Sequence, residues 1–358
     1  MSVWDEYPVN YREHEVQTIV RATWVGDCVA LLGLSGAGKS NLLGFLANQV
    51  SNSTHPILLV DCNRLGQYKI DTLLNFIRRV IDPSQSSAAV DSFDVLDATV
   101  SSYLTQHPRL TLLFDRFDVF GDENLAIANP LRALRDAHKF KLTYVLSMRH
   151  VLKSHSELAE LFYANTIWLG ALSESDARWN VQRFAARREQ VWGSEITEQM
   201  LSFSRRYPSL LKAIAEAYVG GAALQLQALL MHPAVQQRVH EFWADQPTPE
   251  EIRLCGLDAH PLLKRTVQNA ETVARFDPSQ LTAKESALLD YFQANLNQVC
   301  QKDDIIRAVW SEDKAFMSGV RDDSLAQLVR RLREKIEPNP ASPQYIHTVP
   351  GRGYKFNV

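Results

Sequence analysis

The chain has 358 residues, 46% of them hydrophobic, and a formal net charge of −3. That length exceeds one ordinary domain and supplies enough apolar residues for two or three cores, while the near-neutral charge excludes a global basic field. Any nucleic-acid contact must therefore come from a local patch. Four cysteines, Cys28, Cys62, Cys255 and Cys300, lie far apart with no CxxC pair, which argues against a zinc site or a disulfide framework and fits a reducing compartment. The N-terminal stretch is acidic and aromatic, and no apolar run approaches the ~20 residues needed to cross a bilayer. A cytoplasmic protein with no membrane partner is expected.

In chain order, the apolar run 28–33 breaks into a glycine-rich turn ending in Gly38, Lys39 and Ser40, which matches the phosphate loop GxxxxGK(S/T). The chemistry requires this order. A strand delivers the chain to the sheet edge, and Gly33, Gly36 and Gly38 let backbone N–H groups turn inward around phosphate oxygens; a side chain at Gly38 would block that approach. The helix 39–50, apolar at Leu42, Leu43 and Leu46, points its positive N-terminus at the anion. Lys39 reaches the β- and γ-phosphates and Ser40 offers a hydroxyl to Mg²⁺, so ATP and Mg²⁺ are the expected ligands.

Short apolar strands then alternate with amphipathic helices: strand 57–61, helix 70–81, a polar loop from Asp82, a helix near 91–106, strand 110–115, helix 124–138, strand 142–147 and a last strand near 166–169. That pattern predicts a parallel α/β sheet. Strand 110–115 carries Asp115 to the carboxyl edge of the sheet, where a carboxylate holds the Mg²⁺ hydration shell. Asp118 is placed to orient or deprotonate an attacking water. Arg149 follows the next strand and is expected to face the γ-phosphate. From Ser173 onward helical patterns dominate, and Pro247 and Pro249 break them before a short helical connector to about 275.

The order of phosphate loop, Asp115-x-x-Asp118, strand ending in Arg149, and helical region with Arg206, Tyr207 and Pro208 resembles the STAND class of signal-transduction ATPases, related to AAA+ proteins. The resemblance covers roughly residues 6–230. It implies that Pro208 packs on the adenine and that Tyr11, Arg12 and Glu13 touch the base. Arg206 stands where that class has a glycine. Arg116 stands where an acid often follows the metal-binding aspartate, which leaves Asp118 as the local candidate base and points to slow turnover or nucleotide sensing.

Residues 281–356 carry an independent signal. A helix opens at Leu281–Glu285 with Leu288, Leu289 and Phe292 inside, a second spans Asp303–Trp310, and a third, 323–336, repeats Leu325, Leu328, Val329, Leu332 and Ile336 at three- and four-residue spacing. On that third helix Gln327, Arg330 and Arg331 point away from the core, and these are residue types that read adenine and guanine edges. The last segment, from Tyr345 to Phe356, reads as a hairpin whose tip presents Arg352 to a minor groove. These blocks resemble the OmpR/PhoB-type winged helix of bacterial transcription regulators. Only Thr272–Phe276 looks extended where that family has a sheet before its first helix, and acidic and basic residues balance across this segment.

The expected fold is an α/β P-loop NTPase core with a helical lid, followed by an α+β winged helix-turn-helix domain, divided as 1–170, 171–262 and 263–358. The functional expectation is an ATP-binding, nucleotide-switched, DNA-binding transcription regulator with double-stranded DNA as partner. A homo-oligomer through the ATPase domain and the transcription machinery are further candidate partners. An ATP-driven DNA-loading or remodeling ATPase of replication, transposition or defence stands as the alternative.

Overall fold

The computed structural model describes residues 3–84, 93–120, 125–151, 158–162, 164–263, 281–295, 299–310, 322–337, 343, 345–349 and 352–356. The chain divides into two compact units, Met1–Leu263 and Lys264–Val358.

The first unit holds a five-stranded, all-parallel sheet formed by β1 (Val29–Leu32), β2 (Ile57–Asp61), β3 (Leu110–Asp115), β4 (Leu142–Met148) and β5 (Thr166–Trp168). The strands lie in the order β2-β3-β4-β1-β5, so β4 separates the phosphate-loop strand from the strand that ends in Asp115. Every residue of β1, β3 and β4 is buried. Parallel strands covered on both faces read as continuous apolar runs, and alternate residues serve opposite layers. Val29, Leu31, Leu113 and Val145 join one core, while Ala30, Leu32, Leu112, Phe114 and Leu146 join the other.

The helices α1 (Glu13–Val25), α2 (Lys39–Phe45), α3 (Ile70–Ile81), α4 (Phe93–Gln106) and α5 (Leu125–Ala137) belong to the sheet region. The predicted helix 39–50 is α-helical only as far as Phe45 and widens into a π-turn over Leu46–Val50, where the Ser51 N–H donates to the Leu46 carbonyl at 3.1 Å. After β5 come α6 (Glu174–Ala186), α7 (Ser194–Ser204), α8 (Pro208–Val219), α9 (Leu226–Met231), α10 (Pro233–Ala244) and α11 (Pro249–Leu254). Ser173 caps α6, its hydroxyl accepting from the Asp176 N–H. Leu210, Leu211 and Ile214 of α8 share one apolar core with Leu42, Leu43 and Phe45 of α2.

The second unit contains α12 (Ala283–Ala294), α13 (Lys302–Val309) and α14 (Asp322–Ile336), with a three-stranded antiparallel sheet of β6 (Val299–Gln301), β7 (Ile346–Val349) and β8 (Gly353–Phe356) in the order β6-β8-β7. This is a winged helix with a small sheet. Thr282 and Glu285 form a reciprocal capping box at the start of α12. Leu288, Phe292, Ile305, Leu325, Leu328, Leu332 and Phe356 make its core. Strand β6 has no counterpart in the sequence-based expectation, and Gly353 exists for it: a Cβ there would sit 2.0 Å from the Cys300 carbonyl oxygen. The extended segment expected at Thr272–Phe276 lies outside the described residues.

Candidate functional site

The loop after β1 is shaped by backbone conformation and by two elements that close on it. Gly36 and Gly38 adopt φ values of +81° and +91°, which favour glycine, and Gly38 caps α2. The glycines do more than admit an anion. A Cβ on Gly36 would lie 2.0 Å from Ser209 Oγ at the start of α8, and one on Gly33 would lie 3.0 Å from the Leu169 carbonyl oxygen just after β5. At Gly38 a Cβ would have room, its nearest neighbour being Pro208 Cγ at 3.7 Å, so the only obstacles there are φ and the space an anion would use.

The loop carbonyls are held from outside. Arg12, in the left-handed region at φ 45°, is fully buried and donates from Nη2 to the Ala37 carbonyl at 2.9 Å and the Gly170 carbonyl at 3.1 Å, while Nη1 pairs with Glu15 at 2.9 Å. The Tyr207 hydroxyl donates to the Ser35 carbonyl at 2.8 Å, and the Ser209 N–H to the Gly36 carbonyl at 3.2 Å. With their carbonyls engaged, the loop's peptide planes are fixed before any ligand arrives. Of the segment expected at the base, Tyr11 and Arg12 are buried and Glu13 is exposed. Tyr11 is buried in the core against Phe45 at 5.5 Å, and the Arg12 guanidinium is spent on the Ala37 and Gly170 carbonyls.

Lys39 opens α2 and turns its ammonium back onto the Gly33 and Leu34 carbonyls. Burial pushes its pKa down to about 8; Asp118, Asp115 and Asp245 favour the charge and Arg149 opposes it. Ser40 is exposed beside it. Asp115 is buried at the end of β3, with Oδ1 accepting the Ser147 hydroxyl at 3.0 Å. Arg149 follows β4, its Nε 3.5 Å from Asp118 Oδ2 and its Nη1 2.8 Å from Asp245 Oδ1.

These groups surround a cleft of about 370 Å³ whose lining includes Lys39, Ser40, Arg116, Asp118, Arg149 and Pro208. Lys212 and Arg238 line it too, so five cations face it against one carboxylate among the described lining residues. Such a surplus suits an anion. Arg116, at φ 56°, donates to Asn63 Oδ1 at 3.0 Å. Asn41, Pro208 and Lys212 also line a second cavity, of about 670 Å³, walled by Trp4, Tyr7 and Arg183. The Arg183 guanidinium stacks 4.7 Å from the Tyr7 ring, and its Nε donates to Glu6 at 2.8 Å. The aromatic wall thus comes from Trp4 and Tyr7, a few residues before the expected segment.

A glycine cradle with positive φ, a helix N-terminus and a lysine ammonium at its start fit the phosphates of a nucleotide. Ser40 and Asp115 fit a magnesium ion, which needs few protein ligands when phosphates and water supply the rest. Among the described residues no group of three or more His, Cys, Asp or Glu gathers around a metal position.

Several contacts were invisible to motif reading. Arg12, Tyr207 and Ser209 reach the loop carbonyls from distant parts of the chain, Arg238 lines the cleft and Asp245 pairs with Arg149. Lys212 carried a usable signal, since it stands one turn into the helix that Pro208 opens and so lies on the same face.

In the second unit Gln327, Arg330 and Arg331 are exposed on α14, as expected, and Arg352 is exposed where the wing turns. Arg330 Nε lies 3.1 Å from Glu334 Oε1, an exposed i,i+4 pair of small energetic worth that leaves the guanidinium available. Gln327 and Arg331 line a shallow recess with Lys284 and Trp310. Arg333 has a different job. Its guanidinium donates to the Ile346 carbonyl at 2.6 Å and to Thr348 Oγ1 at 3.0 Å, fastening α14 to the wing. Glu337 accepts from the Ile346 N–H at 2.7 Å at the same joint. Lys335 donates to Glu285 at 2.6 Å; burial works against the Glu285 charge, yet this ammonium and the Thr282 contacts hold its carboxyl below the usual range.

The first unit is therefore a parallel α/β sheet with a glycine-rich P-loop after β1, and the second a winged helix. Residues 277–356 match the family described as "Transcriptional regulatory protein, C terminal". The chain is similar to an uncharacterized transcriptional regulatory protein, YcbL, of Bacillus subtilis (strain 168), with 32% identity over 143 residues, 40% of this chain and 59% of that protein. It is also similar to the transcriptional regulatory protein YvrH of the same organism, with 38% identity over 89 residues, 25% of this chain and 36% of the relative. The chain thus spans less than two thirds of these relatives. Among solved structures it is similar to a Walker-type ATPase of Pyrococcus abyssi, at 14% identity and TM-score 0.48 over 96% of this chain and 92% of that one. The ORC2 protein of Aeropyrum pernix aligns at 15% identity and TM-score 0.45, over 96% and 89% of the two chains. No described helix is long and apolar enough to cross a membrane.

Proposed function

We propose that the chain is an ATP-binding, nucleotide-switched, DNA-binding transcription regulator, with residues 1–170 as the ATPase core, 171–262 as its lid and 263–358 as the DNA-binding domain. The observation that carries the nucleotide half is the cleft, which five cations, Lys39 among them, line beside a preformed glycine cradle. Gly33, Gly36 and Gly38 direct backbone N–H groups at the phosphates, and Lys39 swings from the Gly33 carbonyl to the β- and γ-phosphates. Ser40 and Asp115 hold Mg²⁺, which neutralises phosphate charge when bound. The base enters the neighbouring cavity against Pro208 and the Trp4–Tyr7 wall. Arg149 meets the γ-phosphate. Asp118, the only carboxylate among the described cleft-lining residues, orients the attacking water, and because Arg149 already engages it, turnover is slow.

For the DNA half, α14 enters the major groove with Gln327, Arg330 and Arg331 toward the bases, and Arg352 anchors the wing in the minor groove. Support comes from the exposure of all four residues and from the family match over 277–356.

The test is selection and footprinting of the full chain on genomic fragments without nucleotide, with ADP and with ATP. Preferred fragments whose occupancy changes with ATP in the wild type, but not in Lys39→Ala, are expected. A chain that prefers no genomic fragment over random duplex in any nucleotide state overturns the regulator reading in favour of the loader. Asp118→Asn is expected to keep nucleotide and lose phosphate release.

A further inference from the structure

Arg149, which lines the cleft, makes one ion pair behind it that anion binding does not explain. Asp245 immediately follows α10, 96 residues from Arg149, yet its Oδ1 accepts from Arg149 Nη1 at 2.8 Å. The Asp245 side chain is nine-tenths buried, at 10% exposure, and its Oδ2 is removed from solvent with no hydrogen-bond donor. Burying a carboxylate with one oxygen unsatisfied is destabilising unless nearby cations compensate. Arg149 does so directly, and Asp245 also favours the charged form of Lys39. The other charged groups around the pair are Asp118 and Asp115 from the sheet side and Arg238 from α10. A carboxylate from the helical region is therefore delivered to the place where the loop lysine and the strand-end arginine converge. Those are the two cations that the outermost phosphate of a triphosphate needs.

We infer that Asp245 determines specificity between nucleoside di- and triphosphates, its carboxylate standing in for the terminal phosphate on Arg149. This rests on the nucleotide reading above. A nucleoside diphosphate fills the cradle with the Arg149–Asp245 pair intact. A triphosphate places a further negative group beside Asp245, and like charges at that distance repel strongly in a partly desolvated cleft. The triphosphate must take Arg149 from Asp245. The carboxylate is then left without its main partner, and the end of α10 is released from the sheet. The affinity difference between the two ligands and the release of α10 are the same free energy seen from two sides.

The test is calorimetric titration of the full-length wild type, Asp245→Asn and Asp245→Ser, each with Mg²⁺ and either ADP or a non-hydrolysable ATP analogue. Asp245→Asn keeps the shape of the side chain and removes its charge, and the serine variant repeats the test if the amide does not fold. Removing the carboxylate is expected to raise affinity for the analogue by roughly tenfold, within the range usual for coupled sites, and to leave ADP within about twofold. A purely structural role would move both ligands together or neither. An unchanged analogue-to-ADP ratio, with ADP binding that Lys39→Ala removes, overturns the inference and leaves the nucleotide reading standing. Absence of any nucleotide binding by the wild type overturns both.

Discussion

Around Lys39 the decisive contacts join residues far apart in the chain: Arg12 to Ala37 across 25 positions, Arg149 to Asp245 across 96, and Tyr207 to Ser35 across 172. On α14, by contrast, Gln327, Arg330 and Arg331 come from adjacent turns of one helix, and the partner of Arg330 is Glu334, one turn further on. The cleft is thus part of the structure that holds the first unit together, and substitutions there disturb binding and stability at once. The α14 face is an exposed surface whose side chains can be exchanged without touching the core beneath. A site made of tertiary contacts is preorganised and buried; a site made on one helix is modular.

The sharpest test of that contrast is Arg12→Met, at a side chain spent on the loop carbonyls and Glu15. It strips partners from the Ala37 and Gly170 carbonyls and from Glu15, and is expected to destabilise the first unit by about 3 kcal/mol in urea unfolding. An unchanged unfolding midpoint would show that the loop does not depend on this brace. Next in size is Lys39→Ala, expected to weaken nucleotide binding by about a hundredfold, near 2.8 kcal/mol, because it removes a charge-assisted contact from a preformed anion site. Equal calorimetric affinities for wild type and variant would remove the phosphate loop from the account.

Arg330→Ala should behave in the opposite manner, leaving the thermal midpoint unchanged while costing about 1–3 kcal/mol in DNA affinity and relaxing preference at one base position. Electrophoretic shifts on a set of single-base variants read both quantities. A smaller effect concerns pH. Lys39 has a pKa of about 8 in the free chain, and neighbouring phosphate raises it. Below pH 8 the ammonium is charged with or without ligand, so this group leaves affinity flat. Above pH 8 binding must take up a proton, and affinity is expected to fall roughly fivefold from pH 8 to pH 9. Flat affinity across that interval would mean that the ammonium does not meet the phosphates. Smallest is Arg352→Ala, which should weaken DNA binding evenly across sequences and lower the salt slope by about 1, measured in the same assay over a salt series.

Several local, periodic signals coincide with the structure. Helix 70–81 and strands 57–61 and 110–115 occupy the expected residues, and the apolar stripe from Leu325 to Leu332 is buried. Helix α1 and strand β6 went unread. Helix α1 has a diffuse apolar face, with Ile19, Ala22 and Thr23 buried, and β6 is three residues long with only Cys300 inside. The burial of Tyr11 was not legible for another reason. An aromatic residue beside a nucleotide loop can face the ligand or the core, and its neighbours Phe45 and Trp179 come from elements that motif spacing does not bring together.

The order of residues along the chain was enough to establish the phosphate loop, the parallel sheet, the acid at the end of β3 and the outward triad on α14. Each of these follows from backbone geometry and side-chain periodicity within a short window. What folding alone could decide is how the cleft is balanced. The lowered pKa of Lys39, the bracing by Arg12 and the pairing of Arg149 with Asp245 arise from burial and from charges brought within a few ångströms across distant segments. Desolvation and Coulomb interaction depend on distance in space, and separation along the chain says nothing about either.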